Sequence, residues 1–131
     1  MLGNILVIDD EPDELDVVQS VLKEYGFTTE TATDGVEGLK KISQSLPDLI
    51  IVDGNMPKMN GFAFCESLRK DTTTASIPII MLTGLVGRLS RMNGYLHGAS
   101  AYLTKPFLPD ELIDKINELM TSSSPKASKQ Y

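Results

Sequence analysis

Four apolar runs in this chain stop on side chains suited to holding a metal ion or handling a phosphoryl group. Ile5-Leu6-Val7-Ile8 ends at Asp9-Asp10, and Leu49-Ile50-Ile51-Val52 ends at Asp53, which is followed by Gly54-Asn55-Met56-Pro57. Ile77-Pro78-Ile79-Ile80-Met81-Leu82 ends at Thr83, and Ala101-Tyr102-Leu103-Thr104 ends at Lys105-Pro106. If these runs are parallel strands, all four ends lie at one edge of one sheet. Three carboxylates gathered there repel each other, and a hard cation relieves the repulsion. Mg²⁺ keeps several waters and needs only one or two carboxylates plus a carbonyl. No His or Cys stands near the cluster, which disfavours zinc. With the cation in place, one carboxylate can attack phosphorus and form an acyl phosphate. Lys105 then balances charge on the group being transferred, Thr83 offers it a hydroxyl, and Gly84 leaves the approach open.

Such a cluster needs strands to carry it and helices to separate the strands. After Asp10, Pro12 and the acids around it suit a helix N-terminus. Leu15, Val18, Leu22 and Tyr25 repeat at helical spacing, and Gly26 closes the helix. Phe27–Ala32 reads as a short polar strand. Asp34 caps a second helix, with Glu37 three residues on and Val36, Leu39 and Ile42 as its inner stripe. Pro57–Gly61 reads as a loop and Phe62–Lys70 as a helix. Leu85–His97 is a helix weakened by Gly87 and Gly94, each costing about 1 kcal/mol against Ala. Pro109 opens the last helix, whose stripe is Leu112, Ile113, Ile116, Leu119 and Met120.

Five strand–helix units make a parallel sheet covered on both faces. The runs at 5–8, 49–52 and 79–82 are apolar throughout, as central strands are, whereas 28–32 is polar and suits an edge. With the first strand inside, the order is 2-1-3-4-5. The switch point then falls between strands one and three, where open α/β sheets bind ligands. Asp9, Asp10 and Asp53 stand at those two strand ends.

The bulk properties agree. A chain of 131 residues suits one domain, and 41% hydrophobic content supports a core. A net charge of −6 argues against direct nucleic-acid binding. Residues 1–37 hold ten acids against the single base Lys23, mostly a solvated acidic helix face. The lone Cys65 excludes an intrachain disulfide and reads as a small buried or half-buried thiol. No apolar stretch has the length of a membrane span and the start does not read as a secretion signal, so the expected location is the cytoplasm. Residues 121–131 lack apolar periodicity and read as a flexible tail or the start of a linker, leaving a domain over 1–120.

Taken together, Asp9-Asp10, Asp53 with Met56-Pro57, Thr83, and Tyr102-Leu103-Thr104-Lys105-Pro106-Phe107 resemble the receiver domain of two-component response regulators. The likeness covers roughly residues 3–120 and implies the flavodoxin-like, doubly wound fold with five helices. It implies that Asp53 accepts the phosphoryl group, that Asp10 ligates Mg²⁺ directly and Asp9 mainly through water, and that Asn55 contributes its backbone carbonyl. It implies that Thr83 and Lys105 hold phosphoryl oxygens and that the Lys105–Pro106 bond is cis. The donor would be a phosphohistidine on a sensor histidine kinase or phosphotransfer protein. Thr83 and Tyr102 would act as the switch, with Tyr102 moving inward. The surface that changes would be helix four, strand five and helix five, facing an output partner, a downstream domain or a second copy in a phosphorylation-dependent homodimer.

Several of these residues also have plainer readings. Taken alone, Thr83 is a β-branched strand end, and Tyr102 is packing with its hydroxyl at the surface. His97 reads as a helix-end side chain near the last carbonyls, and Arg88 and Arg91 as solvated charges or a partner-facing patch. Gly54 departs from the family pattern, in which an apolar residue follows the acceptor, and is expected to open the site's shoulder to water or a partner. Two other classes of function compete: a pseudo-receiver that acts only as an interaction module, and a phosphatase working through an aspartyl phosphate. Such phosphatases usually carry the nucleophile and a second Asp two residues later on the first strand. Here the candidate is on the third, with Asn55 two residues on.

Overall fold

The computed structural model describes residues 3–121; the tail expected beyond Thr121 lies outside the described residues. Strands and helices alternate: β1 (Asn4–Ile8), α1 (Pro12–Glu24), β2 (Thr28–Ala32), α2 (Gly35–Gln44), β3 (Leu49–Val52), α3 (Gly61–Lys70), β4 (Ile79–Thr83), α4 (Arg88–Leu96), β5 (Ala101–Thr104) and α5 (Pro109–Thr121). All strand pairs are parallel and the order is β2-β1-β3-β4-β5. This is the doubly wound sheet that the apolar pattern implies.

The period-two alternation of β-strands sorts the core into two halves. Ile5, Val7, Leu49, Ile51, Ile80 and Leu82 meet α1 and α5 through Leu15, Val18, Leu22, Leu112 and Ile116. Leu6, Ile8, Ile50, Val52, Ile79 and Met81 face the other way, toward Ile42 of α2 and Phe64, Cys65 and Leu68 of α3. Cys65 is fully buried, and burial pushes its thiol up to about 12, so it is an inert packing group.

Strand register sets the site. Ile8 lies beside Ala32 on one side and Val52 on the other. Asp9 donates its amide to Ala32 O at 3.1 Å, Asp53 to Ile8 O at 3.0 Å, and Lys105 to Thr83 O at 2.8 Å. The ladder therefore continues one residue past each strand and fixes the backbones that carry Asp9, Asp53 and Lys105.

Two local expectations need correction. Val36 is exposed, and the buried face of α2 is Gly35, Gly38 and Ile42. The helix lies so near the sheet that a Cβ on Gly38 would stand 2.6 Å from Ile8 Cδ1. A valine cannot fill that contact, so the glycines face inward. Second, α4 begins at Arg88, not Leu85, because Gly87 has φ +107° and ψ 160°, outside the helical region. Asp34 caps α2 as expected, accepting from Glu37 N through Oδ1, and Glu37 Oε1 in turn accepts from Thr33 N, one residue before the cap.

Gly94 is the one buried residue of α4; Leu89 and Leu96 are 79% and 78% exposed, and no side chain caps its start. With so little apolar anchorage, α4 is expected to open locally at low free energy. Its amide hydrogens should exchange at least about tenfold faster than those of α1, which buries Leu15, Val18 and Leu22. Equal protection of the two helices in a hydrogen-exchange experiment would contradict this.

Candidate functional site

Asp9 and Asp53 reach the C-terminal edge of the sheet on adjacent strands, and their carboxylates are held alike. Each uses Oδ1 to accept the backbone N–H two residues on, from Glu11 for Asp9 and from Asn55 for Asp53, both at 3.0 Å. Each turns Oδ2 to the Lys105 ammonium, at 2.6 Å for Asp9 and 3.1 Å for Asp53. Both residues are buried. Asp10 is exposed, yet Asp9, Asp10 and Asp53 each offer one oxygen within 4.8 Å of the others. Thr83, fully buried at the end of β4, accepts from Leu85 N at 3.3 Å. It lines a cleft of about 400 Å³ together with Asp10, Asp53, Asn55, Gly84 and Lys105. Every residue expected at the phosphoryl site is thus gathered in one place, and the Lys105–Pro106 bond is cis.

Electrostatics oppose one another here. Burial raises the Asp9 carboxyl above its ordinary value, against the lowering influence of Lys105 and the Glu11 amide. Burial alone would lower the Lys105 ammonium, but hydrogen bonds to Asp9 and Glu14 and the charge of Asp53 outweigh it and hold it above the usual lysine value. One ammonium among several carboxylates leaves excess negative charge. The donor set is all oxygen and partly open to solvent, which fits a hard divalent cation that keeps waters.

Glu14 is the residue that sequence reasoning missed. It sits in the first turn of α1 and accepts a hydrogen bond from Lys105 Nζ through Oε1. Its sequence signal, an acid soon after Asp9-Asp10 in a helix start, is the same as that of its solvated neighbours.

Tyr102 differs from its plainer reading. It is 3% exposed, and its hydroxyl donates to Leu85 O at 2.8 Å. Arg91 stacks over the ring at 5.3 Å and donates to Tyr102 O at 3.1 Å, so it is not merely a solvated helix charge. His97 caps α4, its Nδ1 lying 2.8 Å from Asn93 O, as expected. Gly94 makes the inward ring possible, because a Cβ there would stand 2.8 Å from Tyr102 Cδ1 and 3.0 Å from Cε1. Gly94→Ala is expected to displace the ring, break the bond to Leu85 and forfeit the gain of about 1 kcal/mol that Ala brings to a helix. An unchanged Tyr102 ring signal in NMR with a more stable fold would refute this.

Gly54 also differs from expectation. The position is buried, and a Cβ would meet Met81 Sδ at 3.2 Å and Leu85 Cδ1 and Phe62 Cε2 at 3.4 Å. Apolar side chains, not water, occupy the space that glycine leaves, so it does not open the shoulder of the site.

Fold and site together define a small α/β module with a carboxylate cluster and a lysine at the sheet's switch point. The response regulator receiver domain model matches residues 5–117, and the chain belongs to that family. It is 40% identical over 130 residues to the DNA-binding dual master transcriptional regulator RpaA of Synechocystis, covering 98% of this chain and 54% of that protein. It is 35% identical to the phosphate regulon regulatory protein PhoB of Escherichia coli, covering 97% and 56%. The chain spans about half the length of these curated relatives. Among solved structures, the chemotaxis protein CheY4 of Vibrio cholerae superposes with a TM-score of 0.85 at 34% identity, covering 91% of this chain and 99% of that one. The signal receiver domain of a histidine kinase from Syntrophus aciditrophicus gives 0.87 at 32% identity, covering 93% and 92%. Receiver domains are regulatory modules that accept a phosphoryl group on an aspartate. Among the described residues, no helix is long and apolar enough to cross a membrane.

Proposed function

We propose that residues 1–120 form a Mg²⁺-dependent receiver that takes a phosphoryl group onto Asp53 from a phosphohistidine of a sensor histidine kinase or phosphotransfer protein in the cytoplasm. The observation that carries this reading is Lys105 bridging the carboxylates of Asp9 and Asp53 at the sheet edge. An Asp53 oxygen forms the new P–O bond while the P–N bond of the donor breaks, its electron pair staying on the imidazole nitrogen. The carboxylate charge passes to the acyl phosphate.

Asp9, Asp10, Asp53 and the Asn55 carbonyl would hold the cation, which when bound neutralises charge on the carboxylates and on the phosphoryl oxygens. Lys105 donates to a phosphoryl oxygen, and Thr83 offers its hydroxyl from the neighbouring strand end. The Asp53 amide, fixed to Ile8 O, keeps the nucleophile from drifting.

The output is a shift at α4, β5 and α5. Tyr102 joins β5 to the loop after Thr83 through Leu85 O, so movement of Thr83 toward a phosphoryl group is felt at the ring. Exposed Leu89, Leu96 and Leu108 offer an output partner, a downstream domain or a second copy an apolar surface.

Incubation with Mg²⁺ and acetyl phosphate, followed by weighing of the intact protein, tests the reading. One labile phosphoryl adduct is expected. No adduct would favour the pseudo-receiver, and steady hydrolysis of phosphate esters would favour a phosphatase.

A further inference from the structure

Lys105 has three N–H donors and three carboxylate partners. Asp9 and Asp53 belong to the cluster that gathers around the expected cation, and Glu14 stands outside it. An ammonium can make three such bonds and no more. In this structure, then, every donor of the lysine that is to meet the phosphoryl group is already engaged. Glu14 is also set apart by position. It lines the phosphoacceptor cleft and, with Lys105, an apolar groove formed by Val17, Val21, Pro106 and Phe107. Its side chain is 38% exposed and that of Lys105 17%, so the pair is neither deeply buried nor freely solvated.

We propose that Glu14 is a positioning residue for phosphoryl transfer, competing with the incoming phosphoryl oxygens for Lys105 and restraining the rate at which Asp53 is phosphorylated. This inference rests on the reading of Asp53 as phosphoacceptor. Two physical effects act in the same direction. Glu14 occupies one donor of Lys105, so an entering phosphoryl group must displace a carboxylate to use it. Glu14 also adds a negative charge beside a cleft that an anionic donor must enter. The ion pair lowers the Glu14 carboxyl's pKa through its bond to Lys105, so the competing group is ionised at neutral pH. Asp9 and Asp53 still hold Lys105 when Glu14 is absent, so the lysine keeps its place and gains a free donor.

The test uses acetyl phosphate and Mg²⁺ with the full chain, reading phosphorylated protein by intact mass over time. Asp53 oxygen bonds to phosphorus as the phosphorus–oxygen bond to acetate breaks, acetate leaving with the electron pair. Glu14→Gln, whose neutral amide oxygen is a weaker acceptor and yields Lys105 more readily than the carboxylate, is expected to raise the rate about threefold, the size of a partly exposed charge interaction. The gain should shrink as KCl is raised, because screening removes the long-range electrostatic part. Glu14→Asp keeps the charge and is expected to stay near the wild-type rate. A Glu14→Gln rate equal to or below wild type at low salt, or a gain that persists unchanged at high salt, would overturn the proposal. No adduct on the wild-type protein would instead overturn the phosphoacceptor reading on which it stands.

Discussion

Asp53→Asn is expected to abolish phosphoryl uptake, lowering its rate at least about a hundredfold, or roughly 2.7 kcal/mol of barrier. The substitution leaves the fold alone. Asparagine keeps an oxygen that can accept from Asn55 N, as Asp53 Oδ1 does at 3.0 Å, and the amide bond to Ile8 O is unaffected. What is lost is the charged oxygen that faces Lys105 and would attack phosphorus. The amide nitrogen in its place is a poor nucleophile and presents N–H groups to an ammonium. The variant should therefore melt near wild type, and its intact mass should be unchanged by acetyl phosphate and Mg²⁺. Wild-type uptake by Asp53→Asn would move the acceptor to another residue.

Gly61→Ala should lose stability and activity together. Gly61 begins α3, donates its amide to Gly54 O at 3.1 Å, and lies against the acceptor's own backbone. A Cβ there would stand 2.3 Å from Asp53 O, 2.8 Å from Gly54 Cα and 2.9 Å from Asp53 C. All three are backbone atoms, so no side-chain rotation relieves the overlap. The loop from Asp53 to Asn60 must move, taking Asp53 with it. Overpacking of this kind costs about 3 kcal/mol. In a domain of this size that lowers the melting temperature by roughly 10–20 °C. Gly84→Ala is the control, because a Cβ there meets nothing within 4 Å. It should melt within a few degrees of wild type. Similar melting of the two variants would mean that α3 does not pack on the acceptor loop as described.

The two variants also show which parts of the site are legible in a sequence. Asp53 is found by reading, because an acid that interrupts Leu49–Val52 has no packing reason to be there. Gly61 is not, because glycine at a helix start is common and its need comes from an oxygen eight residues back along the chain. Glu14 escapes for a related reason. It is one of several acids around the start of α1, and only the return of β5 beside β4 brings Lys105 to it.

The α4 region shows the same limit. Gly87 and Gly94 imply a weak helix from the sequence, and in the structure the buried face of α4 is reduced to Gly94. That the gap at Gly94 receives the Tyr102 ring, and that Arg91 closes over it, depends on how α4 lies across β5. Val36 shows the opposite limit: helical periodicity places it on the inner stripe, while the close approach of α2 to Ile8 admits only glycine at position 38 and leaves Val36 exposed.

By itself the sequence determined the element order, the parallel sheet and the residues that meet at its edge, because those follow from local properties: apolar runs of strand length, helical periodicity and polar interruptions. Only the tertiary structure decided which carboxylates share Lys105, which glycine the acceptor loop requires, and where Tyr102 points. Those depend on contacts of a few ångströms between residues far apart in the chain, and local pattern carries no information about such distances.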